Sequence, residues 1–280
     1  MARTFIGAGG NSIAADIYGP DGGSPVIFLH GGGQSRSAWK GAALAAGRAG
    51  YHAMSIDLRG HGESSWITTG DYRFAAYADD IAAIAAELGR PCALVGASLG
   101  GRAAILAAAT YPLLISAILL ADVAPRINDA ATREMRDFFA RSRRGFESVE
   151  DAAGTLAQLR ESRGAKDPGK LLPYLRQEND RFHWRWDPRF AADEFIYHPG
   201  EIDDLEAAAR RIAIPALLVR AGLSTVVTPE HLESFRRLIP HAEVREAPGI
   251  GHMLTGDAND AYGPMILDFL NRQIGALPTN

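Results

Sequence analysis

Three side chains, distant from one another in the chain, can together make one nucleophile: Ser98, His252 and an acid still to be found. A serine hydroxyl is a poor nucleophile at neutral pH until a base takes its proton, and imidazole titrates in the range that this task needs. Ser98 stands in LVGASLGG, residues 94–101, where Gly96, Ser98 and Gly100 form G-x-S-x-G. An apolar run precedes the motif and an alanine-rich run follows it. At a sharp strand-to-helix turn, small residues on either side let a serine hydroxyl project without a clash, and the helix start supplies backbone N–H groups and a positive dipole end. His252 stands in PGIGHML, residues 248–254, a glycine-rich stretch after the candidate final strand AEVREA. The other seven of the eight histidines lack such a setting.

Such a pair performs acyl transfer, in which the carbonyl oxygen becomes an oxyanion and needs donors fixed in advance. The segment LHGGGQ, residues 29–34, follows an apolar run and supplies one donor, because Gly32 has no side chain to keep its backbone from a substrate. The N–H of Leu99, directly after the serine, supplies the second. His30 is read as organising this loop rather than as a base.

These groups need a scaffold, and the chain alternates between two patterns that provide one. Short apolar runs, PVIFLH (25–30), YHAMSID (51–57), CALVGA (92–97), SAILLAD (116–122) and PALLVRA (215–221), read as strands buried on both faces. Between them, AAYADDIAAIAAELG sets Tyr77, Ile81, Ile84 and Leu88 on one helical stripe, and LGGRAAILAAATYP is helical until Pro112 stops it. Strands alternating with helices predict an α/β fold with a mainly parallel sheet covered on both sides. From about Pro125 to Ala209 the alternation disappears and helical patterning dominates, which predicts a mostly helical insertion over a continuing sheet.

The residues quoted so far carry a resemblance. HGGGQS, IDLRGHGESS (56–65), VGASLGG, LLADVAP (119–125) and GIGHM, in this order and over nearly the full length, resemble the α/β-hydrolase fold superfamily. The resemblance implies an eight-stranded, mostly parallel sheet flanked by helices, with residues 1–124 and 209–280 as core and 125–208 as a helical cap over the site. It implies Ser98 as nucleophile, His252 as base, and Gly32 and Leu99 as the oxyanion hole. Asp57 and the GHG turn are read as organising the loop after their strand, while Arg59 and His61 fit a surface position equally well.

The same resemblance exposes a missing acid. Members commonly place the catalytic aspartate just past the strand matching PALLVRA, often in a Ser-Asp pair, and this chain has Ser224-Thr225 there. A threonine carries no charge to stabilise an imidazolium. Haloalkane dehalogenases carry the acid one strand earlier, where this chain has Asp122, so Asp122 is expected to be the partner of His252. The competing reading makes Asp122 a structural residue of the DVAP turn and reduces the triad to a dyad. Glu230 is a poorer candidate, at the start of the following helix.

The implied activity is a metal-free, cofactor-free serine hydrolase of carboxylic esters or lactones working through an acyl-enzyme on Ser98. Trp39, Phe138, Phe139, Trp184, Trp186 and Met253 are expected to bind a small hydrophobic substrate, with Trp66 and Phe182 also available to the pocket rim. C–C bond hydrolysis and cofactor-free perhydrolase or haloperoxidase chemistry remain open within the fold, as does a binding homologue of weakened catalysis. Epoxide hydrolases and dehalogenases use an aspartate where this chain has Ser98.

Composition narrows the remaining classes. With 47% hydrophobic and 22% charged residues, 280 residues suffice for a substantial core. A net charge of −4 gives no general pull toward nucleic acid or anionic membranes. Cys92 is the only cysteine, so no internal disulfide forms and a cysteine-based zinc cluster is disfavoured. MARTFIGAGG lacks the apolar core of a secretory signal, and no run is long enough to span a membrane, so a cytoplasmic protein is expected.

Overall fold

The computed structural model describes residues 1–159, 168–191, 200–251 and 257–275. Its main sheet has eight strands: β1 (Ala2–Ile6), β2 (Ser12–Tyr18), β3 (Pro25–Leu29), β4 (His52–Ile56), β5 (Cys92–Ala97), β6 (Ile115–Ala121), β9 (Ala216–Ala221) and β10 (Glu243–Ala247). Their spatial order is β1-β2-β4-β3-β5-β6-β9-β10. Only the pairs β1–β2 and β2–β4 are antiparallel; every later pair is parallel.

The apolar runs become strands because both faces of the sheet are covered. In β3, Val26 and Phe28 join a core on one side while Ile27 and Leu29 join a core on the other; in β6, Ala117 and Leu119 part from Ile118 and Leu120 in the same way. A strand's side chains alternate between faces, so a run with no polar position is the mark of burial on both. Helices α1 (Lys40–Arg48) and α8 (Gly263–Gln273) cover the first face. Helices α2 (Phe74–Leu88) and α3 (Leu99–Thr110) cover the second. Tyr77, Ile81 and Ile84 form the expected buried stripe of α2, with Leu88 packed at its edge; Gly89, at φ +67°, ends the helix in the left-handed conformation that glycine tolerates. Strands β1 and β2 were not among the apolar runs, and β1 shows why: as the sheet's edge it buries only Phe5.

The insertion between β6 and β9 contains α4 (Asp129–Ser142) and α5 (Val149–Gln158), as the helical patterning predicts. It also contains an antiparallel hairpin, β7 (Leu175–Glu178) and β8 (Arg181–Trp184), that the helical expectation did not include. The turn between them is Asn179-Asp180, both at positive φ (49° and 58°). That two-residue turn matches the twist of a hairpin, and Asn and Asp tolerate its backbone.

The inserted segment is tied to the core. Gly62 N–H donates to Arg185 O (2.8 Å) and Asp187 N–H to Gly60 O (2.7 Å), joining the Arg59–Gly62 turn to residues 185–187. The Tyr72 hydroxyl donates to buried Asp187 (2.5 Å), which also pairs with Arg189 (3.0 Å). The expected cap boundary at residue 208 falls within α6 (Glu201–Ala209), whose Leu205, Ala208 and Ala209 are buried and which packs on α3. Helix α7 (Pro229–Leu238) follows β9.

Candidate active site

Ser98 forms the joint between β5 and α3, with φ 46° and ψ −114°. A non-glycine residue in this region is strained by roughly 1–3 kcal/mol, and it persists where the surroundings over-determine it. Here they do. A Cβ at Gly96 would lie 2.6 Å from the Gly100 carbonyl, and one at Gly100 would lie 2.5 Å from Leu29 O. The glycines of the motif therefore allow strand, turn and helix to interlock at contact distance, leaving Ser98 half-buried at the start of α3.

The other half of the site packs against this joint. Gly100 N–H donates to His30 O (3.1 Å), and a Cβ at Gly31 would stand 3.4 Å from Ser98 Cβ. Residues 31–34 form a turn in which Gln34 N–H donates to Gly31 O (3.1 Å) and the Gln34 side chain accepts from Gly31 N–H (2.8 Å). Gly33 takes φ +77° at the third position of this turn, a left-handed conformation that favours glycine. Leu99 N–H precedes the helical ladder of α3 and has no carbonyl one turn back within the helix. Among the described residues no acceptor takes the Gly32 N–H or the Leu99 N–H. The two donors stand on segments that are hydrogen-bonded to each other beside Ser98.

Two buried histidines brace this turn. His30 Nδ1–H donates to Gly31 O (2.7 Å) and its Nε2 accepts from Leu58 N–H (3.0 Å). His61 Nδ1–H donates to Arg59 O (3.0 Å) and its Nε2 accepts Gly33 N–H (3.2 Å), so the GHG turn holds the glycine turn directly. Their rings are 5.0 Å apart. His61 and Arg59 are thus interior residues, which corrects the surface option: His61 is fully buried, and Arg59 forms a two-pronged buried pair with Asp80 (2.7 Å at each contact). Asp57 organises the same loop by accepting from Arg36 N–H (2.6 Å) and Glu63 N–H (2.9 Å) while pairing with the Arg36 guanidinium.

Both imidazoles are held neutral. Burial lowers His30 to about 4, and burial together with the neighbouring His30 lowers His61 to about 3. Above pH 6.5 they are neutral folded or unfolded and contribute no pH dependence. As pH falls below 6.5, the unfolded chain takes up protons that the folded chain refuses, so stability drops until about pH 4 for His30 and about pH 3 for His61. The full loss is roughly 3–5 kcal/mol per histidine. In a series of urea unfolding curves, His61→Gln, which retains an acceptor for Gly33 N–H, should lose less stability than wild type between pH 6.5 and 4. Equal slopes would remove His61 as the source.

Asp122 and Thr225 sit in contrasting settings. Asp122 follows β6 at φ 50° and is 2% exposed; its N–H donates to Val219 O (2.8 Å) and its carboxylate accepts Ala221 N–H (3.1 Å). Its charge also raises the pKa of buried Tyr262, after the larger effect of burial. Thr225 is exposed, and its carbonyl accepts from Asn128 Nδ2 (2.9 Å). Ser224, beside it, is buried and accepts from Val226 N–H and Val227 N–H. Glu230 is exposed in the first turn of α7. His252 and Met253 lie outside the described residues.

The expected substrate residues divide. Phe138, Phe139, Trp184 and Trp186 line an apolar cavity against Gly32 and Gly33, together with Met135 and Leu159. Trp39 is elsewhere: it is fully buried in the core on the α1 side, 5.7 Å from Phe28, with its indole N–H donating to Leu29 O (2.9 Å). Trp66 lies 39% exposed against the Arg176 guanidinium, and Phe182 pairs its backbone with Phe146. Phe190, whose ring approaches Gly32, is not among the residues that the sequence points to. Its only signal there is the aromatic density of RFHWRWDPRF, residues 181–190.

Known proteins resemble this chain over most of its length. A family model described as alpha/beta hydrolase fold matches residues 24–258. The sn-1-specific diacylglycerol lipase ABHD11 of Mus musculus is 28% identical over 254 residues, 88% of this chain and 80% of its own. Esterase Rv0045c of Mycobacterium tuberculosis is 31% identical over 242 residues, 83% of this chain and 78% of its own. Among solved structures, E-2-(acetamidomethylene)succinate hydrolase superposes with a TM-score of 0.81 at 24% identity over 98% of each chain, a likeness of fold.

Proposed function

The chain belongs to the alpha/beta hydrolase fold family, and from that premise we propose that it is a serine hydrolase of small hydrophobic carboxylic esters or lactones. The observation that carries this reading is Ser98, held at a strained strand-to-helix joint in contact with a turn whose Gly32 N–H, like that of Leu99, has no protein acceptor among the described residues.

In this mechanism Ser98 Oγ attacks the substrate carbonyl as His252 takes its proton. The carbonyl oxygen acquires the negative charge and accepts from Gly32 N–H and Leu99 N–H, donors that need no rearrangement as the charge develops. His252 returns the proton to the leaving alcohol, the ester C–O bond breaks, and the acyl group stays on Ser98. A water molecule, deprotonated by His252, then attacks the acyl carbon; the bond to Ser98 Oγ breaks, His252 returns the proton to Oγ, and the acid is released. Asp122 holds His252 in the required tautomer and stabilises its charged form. No helix among the described residues is long and apolar enough to cross a membrane, and the thiol of Cys92 is buried.

A fluorophosphonate probe with mass-spectrometric mapping tests the reading. The expected result is a single adduct on Ser98, formed quickly and blocked by prior incubation with a short p-nitrophenyl ester that the protein hydrolyses. A folded protein whose Ser98 stays unlabelled would instead be a binding homologue of this fold.

A further inference from the structure

The residues against the glycine turn carry information about which acyl group fits. With a carbonyl oxygen on Gly32 N–H, the substrate lies against the surface of residues 31–34. Two rings occupy that surface. Phe190 Cζ stands 3.0 Å from where a Cβ on Gly32 would be and Phe139 Cζ 3.6 Å from it, while Phe139 Cε1 stands 3.1 Å from the equivalent point on Gly33. The cavity between this turn and the aromatic residues has a volume of about 10 Å3, the room of about one water molecule.

The two rings are not loose occupants. Phe139 and Phe190 meet edge to face at 5.3 Å, and each meets Trp186, at 5.5 and 6.2 Å. Phe190 also packs edge-on to His61 at 4.6 Å and to Tyr72 at 6.2 Å. Its segment is fixed from below, because Phe190 N–H donates to Asp187 O (2.9 Å) and the Asp187 side chain is held by Tyr72 and Arg189. The same small cavity is lined by Met135, Leu159 and Trp184. Apolar surroundings thus reach the glycine turn, but with Phe139 in place they leave room for only about one water molecule.

Resting on the proposed ester chemistry, we infer that Phe139 and Phe190 are specificity-determining residues that close the acyl site after a short group, so that the enzyme takes acetyl and propionyl esters and discriminates against long-chain ones. Phe139 is the removable part of the wall: its truncation enlarges the cavity that Gly32 and Gly33 share with Met135, Leu159 and Trp184. Phe190 is the fixed part.

The test is a series of p-nitrophenyl esters from acetate to decanoate on wild type, Phe139→Ala and Phe139→Leu, with a second series of acetate esters in which only the alcohol lengthens. Wild type should favour acetate over decanoate in kcat/KM by on the order of 100-fold, and Phe139→Ala should shift that ratio toward decanoate by on the order of 10-fold or more. Phe139→Leu should shift it less; it also serves as the readout if the alanine variant does not fold. A flat acyl profile in wild type, or an unchanged ratio in the variants, overturns the inference. So does a change confined to the alcohol series, which would assign the space to the leaving group. Failure of every ester, together with an unlabelled Ser98, would overturn the ester chemistry itself and is distinct from these outcomes.

Discussion

Ser98→Ala should lower ester turnover by on the order of 10⁶, leaving only the small rate that binding and the oxyanion donors supply without a nucleophile. The size of the effect follows from the site: the covalent route passes through one hydroxyl, and no nearby side chain replaces it on the helix start of α3. The strained joint adds a control. Ser98→Gly should be equally inactive yet more stable than Ser98→Ala by about 1 kcal/mol, because glycine adopts the φ 46° conformation without a Cβ penalty. Steady-state kinetics and urea unfolding of the two variants check both halves. An inactive pair of equal stability would keep Ser98 as nucleophile but remove the stored strain. A Ser98→Ala variant that retained turnover would remove Ser98.

The second large effect concerns the acid. Asp122→Asn should reduce turnover by on the order of 10⁴, whereas Thr225→Asp should change it little. Asparagine keeps the oxygen that accepts Ala221 N–H, so the link between the ends of β6 and β9 survives and stability should hardly move. What is lost is the charge that favours a protonated imidazole. The structural contrast supports this assignment: Asp122 is buried, where a charge acts strongly on a neighbour, whereas Thr225 is exposed, where water would screen a new carboxylate. The comparison needs only kcat for the two variants and a melting curve for each. Harmless Asp122→Asn with accelerated Thr225→Asp would mean that Asp122 serves the DVAP turn alone and that the protein is a hydrolase lacking its acid.

The sheet's parallel part, the stripe of α2 and the Ser98 joint are legible in the sequence, because each is written locally. A strand buried on both faces needs an unbroken apolar run, an amphipathic helix needs its period, and a crowded turn needs glycine at Gly96 and Gly100. The glycine turn at residues 31–34 was legible for the same reason. The hairpin at Asn179-Asp180 was also local, but four-residue strands carry too little alternation to outweigh the helical patterning around them.

Features that depend on which segments meet emerge only in the folded chain. The sequence left Arg59 and His61 open between the loop and the surface; packing against Asp80 and Gly33 buries them and makes His61 a brace of the glycine turn at residues 31–34. Trp39 and Phe139 are both aromatic and both buried, yet the sheet separates them, one in the core beside α1 and the other against Gly33. Phe190 reaches Gly32 because Asp187 ties its segment to Gly60 and Tyr72, more than a hundred residues earlier. Such contacts follow from the crossing of distant chain segments over one sheet, and no spacing within either segment encodes them.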